Sequence, residues 1–128
     1  MTAADFRRLA LSLPEAFESS HMGNPDFRVK AGIFATLSLE RDGYGVLLLT
    51  PEQQQGMVED APEVFSPVPG GWGRGGSTRV HLTSATEHVL RDALRTAWQT
   101  RVTRNQKAKV IAKTAAKKLN SNPVKRKR

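Results

Sequence analysis

Three histidines, His21, His81 and His88, are the side chains of this sequence whose ordinary pKa lies near neutrality. They are its first candidates for proton transfer or metal ligation. None has a partner at ligand spacing: the chain contains no H-x-x-x-H, H-E-x-x-H or H-x-H, so neither a metal site nor a cofactor is expected. The absence of cysteine removes thiol nucleophiles, disulfides, cysteine-ligated zinc and iron–sulfur clusters. Ser19, Ser20 and His21 are adjacent, but successive side chains of a strand point to opposite faces. No catalytic residue is assigned and a non-enzyme is expected; His21, in the turn sequence SSHMGNP, would be the general base of any activity.

The second chemical candidate is the stretch FSPVPGGWGRGGSTRV at 65–80, in which Gly71, Gly73 and Gly76 satisfy G-x-G-x-x-G. A dinucleotide cradle needs a strand before its first glycine and a helix opening at its last. Here Pro67 and Pro69 precede the glycines, which argues against a central strand. Ser77-Thr78-Arg79-Val80 follows and alternates as a strand, so no helix dipole would face a phosphate there. The glycines therefore read as a connection between strands. Two arrangements of that connection remain. Trp72 folds over the core as a lid, or Trp72 and Arg74 are displayed for stacking on bases and touching phosphate.

Charge is segregated along the chain. Residues 101–128 hold eleven of the 20 Lys and Arg and no acid, whereas residues 1–100 hold the other nine against all twelve acids. The body is thus mildly acidic and the C-terminal segment strongly basic. Such a segment neutralises phosphates and releases counterions, giving sequence-independent, salt-dependent affinity for nucleic acid. The residues assigned to nucleic-acid contact are Trp72, Arg74, Arg79, Lys107, Lys109, Lys113, Lys117, Lys118, Lys125, Arg126, Lys127 and Arg128. The run 125–128 also has the composition of a nuclear import signal. No stretch has the 18 to 20 apolar residues of a membrane helix, and Asp5, Arg7 and Arg8 break any N-terminal signal sequence. A cytoplasmic or nucleoid-associated protein with no membrane partner is expected.

The elements that position these groups are legible from pattern. Thr2 and Asp5 form an N-terminal cap for a helix burying Phe6, Leu9, Ala10 and Leu13, stopped by Pro14. The turn signal Gly23-Asn24-Pro25 precedes a strand over 26–30. A second strand over 33–40 places Ile33, Ala35, Leu37 and Leu39 on one face and Phe34, Thr36 and Ser38 on the other. The turn Arg41-Asp42-Gly43 leads to a central strand over 44–49. Thr50, Pro51 and Gln53 open a second helix, and a strand over 77–82 alternates Thr78, Val80 and Leu82 with Arg79 and His81. Ser84 and Glu87 read as a capping box for a last helix with Val89, Leu90, Ala93, Leu94, Ala97 and Trp98 on one face. This order indicates an α+β fold in two layers, an antiparallel sheet with helices packed on one face. The organisation expected is a body of 1–102 and a Lys/Arg-rich tail of 103–128, disordered in isolation, with 107–119 able to become helical against a partner through Ile111, Ala115 and Leu119.

The stretches HMGNPDFRVKAGIFATL, LTPEQQ, FSPVPGGWGRGGSTRVHL and LRDALRTAW occur in this order over about residues 3–100. Together they resemble the MmcQ/YjbR family of small bacterial proteins. The resemblance implies a compact α+β fold similar to frataxin-like and secretion-chaperone-like architectures. Family members commonly carry a DNA-binding label, which makes DNA the expected partner before RNA. The chaperone-like architecture implies the alternative, a protein- or small-ligand-binding module. The family signature falls on His21, Gly23, Pro25, Phe27, Phe34, Ala35, Pro69, Gly70, Trp72 and Arg79. This chain departs from it with Asn24, where a second histidine is common, and with Ser77, near which a large aromatic is common. A monomer or weak dimer is expected.

Overall fold

The computed structural model describes residues 1–103. The expectations for 104–128, namely the contacts of Lys107, Lys109, Lys113, Lys117, Lys118 and 125–128 and the helix over 107–119, lie outside the described residues.

Thr2 caps helix α1 (Ala3–Leu11): its Oγ1 accepts from Asp5 N at 3.1 Å while Asp5 Oδ2 accepts from Thr2 N at 2.8 Å. Thr50 and Gln53 form the same reciprocal box at the start of α2 (Pro51–Asp60), with Pro51 in the first turn. Among the described residues six strands form one antiparallel sheet: β1 (Phe17–His21), β2 (Asn24–Val29), β3 (Gly32–Thr36), β4 (Tyr44–Leu48), β5 (Phe65–Pro67) and β6 (Ser77–His81), in spatial order β1-β2-β3-β4-β6-β5. A one-turn helix α3 (Gly71–Arg74) interrupts the β5–β6 connection, and α4 runs over 87–103 as far as described.

Phe6, Leu9 and Ala10 of α1 and Leu90, Ala93, Leu94 and Ala97 of α4 join Phe27, Val29, Ala35, Leu47 and Val80 of the sheet in one buried cluster. Gly45 is the point of closest approach, since a Cβ there would enter the ring of Phe6. The helices thus cover one face of the sheet. Each large apolar side chain buried there contributes roughly 1.5–3 kcal/mol. The other face carries the opposite phase of the strands, namely Ile33, Tyr44, Val46, Leu48, Ser66, Ser77, Arg79 and His81. Val46 is buried yet stands apart from the helix-side cluster, as its phase requires.

Several boundaries differ from the sequence-based expectation. The first hairpin turns at Met22 and Gly23, both at positive φ (53° and 81°), so β2 begins at Asn24 and contains Pro25. Two positive φ values make the primed turn that suits the twist of a two-residue hairpin. Pro25 is accommodated in β2 all the same, and its carbonyl accepts from Leu37 N at 2.9 Å. Strand β3 ends at Thr36 rather than 40, because residues 40–42 wind into a 3-10 turn closed by Gly43 at φ 87°. Its alternation also fails: register slips between Phe27 and Arg28, and Phe34 and Ala35 are both buried in the core. The cap of α4 is Thr86, whose Oγ1 accepts from Val89 N at 3.3 Å; Ser84 sits outside the helix, its Oγ against His81 Nδ1. Strands β1 and β5, unread from the sequence, supply the two edges. Pro67 in β5 agrees with an edge position.

Candidate nucleic-acid interface

The glycine loop owes its composition to close backbone packing. A Cβ on Gly73 would overlap the carbonyl of Val68, and one on Gly76, at φ 116°, would overlap the carbonyl of Leu49. The buried Gln54 of α2 locks the same loop, donating Nε2 to Gly73 O and Ser77 O at 2.9 Å each. The amides of Arg74, Gly75 and Gly76 donate within the loop to Gly70, Gly71 and Gly73 carbonyls. They are spent on the turn and do not form an anion cradle.

Trp72 stands on this fixed turn with 78% of its surface exposed. That overturns the lid arrangement: the rigid α3 turn directs the indole away from the core. Arg74, two residues on, is exposed and makes no ion pair or side-chain hydrogen bond among the described residues. Below Trp72 lies a depression of about 280 Å³ lined by Leu48, Leu49, Gly71, Gly75, Ser77 and Arg101. Its lining is aliphatic at Leu48 and Leu49 and lacks side chains at Gly71 and Gly75. Arg101, in the last described turn of α4, is held there by donating Nε to Ile33 O at 3.0 Å.

Arg79 lies farther along the open face of the sheet, and it is engaged. Its guanidinium carbon sits 4.5 Å from the centroid of the Tyr44 ring, and its Nε donates to Ser66 Oγ at 3.1 Å. His81 packs on the same ring, centroids 5.5 Å apart and tilted by 43°. Alternation along β4 and β6 therefore aligns Leu48 and Ser77, then Val46 and Arg79, then Tyr44 and His81, in one track leading away from Trp72. Sequence reasoning omitted Tyr44, Ser66, Gln54 and Arg101 from the site. The available signal was the shared phase of Tyr44, Val46 and Leu48, but pairing of β4 with β6 is needed to bring that phase beside Arg79.

The histidines stay apart. His21 is exposed at the end of β1 opposite Asn24, His81 lies 3.2 Å from Thr83 Oγ1 and 3.3 Å from Ser84 Oγ, and His88 faces Asp92 across one exposed turn of α4. Among the described residues no group of three His, Asp or Glu side chains is placed to hold a metal, and no helix is long and apolar enough to cross a membrane. A larger groove of about 710 Å³ runs between α2 and α4, lined by Thr50, Gln53, Asp92, Arg95, Thr96 and Gln99 among others. It has no aromatic wall and sets Asp92 against Arg95, and Gln53 is occupied by Thr50 and by Thr100 at 2.8 Å. It is a weaker candidate than the Trp72 depression despite its size.

Residues 11–100 match the YjbR family profile. The chain belongs to the YjbR family. No curated protein matches it. Its fold is similar to the crystal structure of Deinococcus radiodurans protein DR2400, a DUF419 domain, with a TM-score of 0.60 at 19% sequence identity, covering 76% of this chain and 75% of that one. In this YjbR domain the signature divides by role. Phe27, Phe34 and Ala35 are core, and Gly23 and Gly70 open turns at positive φ. His21, Pro69 and Trp72 are exposed, whereas Arg79 is half-buried on the open face of the YjbR sheet.

Proposed function

We propose that this YjbR protein is a non-enzymatic, nucleic-acid-associating protein, acting on DNA foremost. Its basic C-terminal run binds the phosphate backbone and its α+β body serves as the scaffold. One observation carries the reading: eleven Lys and Arg with no acid are gathered in 101–128, immediately after a body that is mildly acidic. The first of them, Arg101, lines the Trp72 depression, so the basic run departs from beside an exposed indole. Arg79, tied to Tyr44 and Ser66, contributes field more than a mobile contact. The dispersed, exposed histidines support a non-catalytic role, since general acid–base work needs converging groups.

The test is a salt titration of DNA affinity for the full chain against residues 1–103. Each phosphate neutralised contributes roughly 0.9 to the slope of log affinity on log salt for duplex DNA. Truncation is expected to flatten that slope by several units and to lower affinity at low salt. An unchanged slope and affinity would remove the basic run from the binding element and favour the alternative of a protein- or small-ligand-binding module.

A further inference from the structure

A fully displayed indole on a rigid turn is unusual for a surface that could have buried it. Trp72 is 78% exposed, while its loop is fixed by the contacts of Gly73, Gly76 and Gln54. The backbone that carries the ring therefore keeps its place without a partner, and a binder would pay only for ordering the indole side chain itself. Beneath it, the Leu48 and Leu49 lining offers an apolar contact, Ser77 a hydroxyl, and Arg101 a positive charge. Pockets for drug-sized ligands begin near 300 Å³, so a depression of about 280 Å³ suits one planar ring system. From its rim, the alternate residues of β4 and β6 continue as a shallow track carrying Arg79, Tyr44 and His81 on the open sheet face.

We propose that this depression takes an unpaired nucleobase, stacked on Trp72 over Leu48 and Leu49, so that the protein prefers single-stranded to double-stranded nucleic acid. The proposal rests on the nucleic-acid reading above and names its substrate class. Bases inside a duplex present only edges to a groove, whereas a single strand presents π faces, and aromatic side chains beside cationic tracks are the general solution for holding them. Charge selects the partner. Arg74 follows the indole by two residues on the same turn and makes no ion pair among the described residues, and the basic run begins at the depression's own Arg101. A neutral aromatic ligand would leave these charges unused, whereas a strand offers a phosphate at every step.

The experiment compares the full chain with Trp72→Ala and Trp72→Phe on three probes at matched salt: an oligodeoxythymidylate, a duplex of the same length, and an abasic strand that keeps the phosphates. Because the indole is exposed, both variants should melt as the parent does. The expected result is a loss of roughly five- to 150-fold for Trp72→Ala on the thymidylate, restored in large part by Trp72→Phe. Duplex and abasic affinities should stay within about twofold and keep their salt slopes. Salt-dependent binding of all three probes that Trp72→Ala leaves unchanged, or weakens equally, would overturn the base site while leaving the nucleic-acid reading intact. No binding of any probe at low salt would sink both.

Discussion

Gln54 and Gly73 are joined by a buried hydrogen bond, Nε2 to carbonyl oxygen at 2.9 Å, and the second amide hydrogen of Gln54 reaches Ser77 O at the same distance. One side chain of α2 thereby binds carbonyls within and just after the glycine loop and anchors the turn that carries Trp72. Gln54→Leu keeps the volume but leaves both carbonyls without that partner. Each carbonyl keeps one backbone donor, Gly76 N and Val68 N respectively, so the variant loses two hydrogen bonds at about 0.5–1.5 kcal/mol each and should lose stability of that order by chemical denaturation. Faster amide exchange at 73–77 would locate the loss in the loop.

The glycines of this protein are separable by substitution. Gly73→Ala and Gly76→Ala drive a methyl into the Val68 and Leu49 carbonyls, and Gly76 also has positive φ. Each is expected to cost at least 1–3 kcal/mol, the range for overpacking. Gly56, mid-way along α2, has open space at its Cβ position. Gly56→Ala should therefore stabilise by about 0.5–1 kcal/mol through helix propensity. Thermal melting of the three variants checks the contrast, and equal effects at all three would refute the packing account of the loop.

Acid should loosen the N-terminal helix first at its cap. Hydrogen bonds from the Thr2 backbone N–H and then the Thr2 hydroxyl, assisted by Arg8, hold the Asp5 carboxyl below its usual 3.8. A carboxylate whose folded value is depressed contributes stability that is present above the unfolded value and lost as pH falls through the folded one. Asp5→Asn should therefore lower the melting temperature at pH 7. The gap to the parent should begin to narrow below about pH 4 and close at lower pH, where the parent's Asp5 is itself protonated. A gap that stays constant down to strong acid would mean the cap acts without its charge.

Local chemistry was readable wherever neighbours in sequence are also neighbours in space. The Thr2–Asp5 and Thr50–Gln53 boxes, the buried stripe of α4 and the positive φ of Gly43 all follow from residues within one turn of each other. The α+β class, the placement of helices on one face and the segregation of positive charge into 101–128 were set at the same level, by periodicity and composition. The family was legible too, because its signature residues are held by separate local demands.

What lay between distant segments was decided only by tertiary structure. Alternation put Phe34 and Ala35 on opposite faces, but the slip against β2 at Phe27 and Arg28 buries both. Whether Trp72 covered the core or faced solvent depended on Val68, Leu49 and Gln54, which meet the loop backbone from 5 to 27 residues away. Arg79 became a partner of Tyr44 because β4 and β6 pair across a 28-residue connection. Each of these is a contact whose energy exists only after the chain has closed a loop, and periodicity within a strand or helix carries no record of which strand will lie beside it.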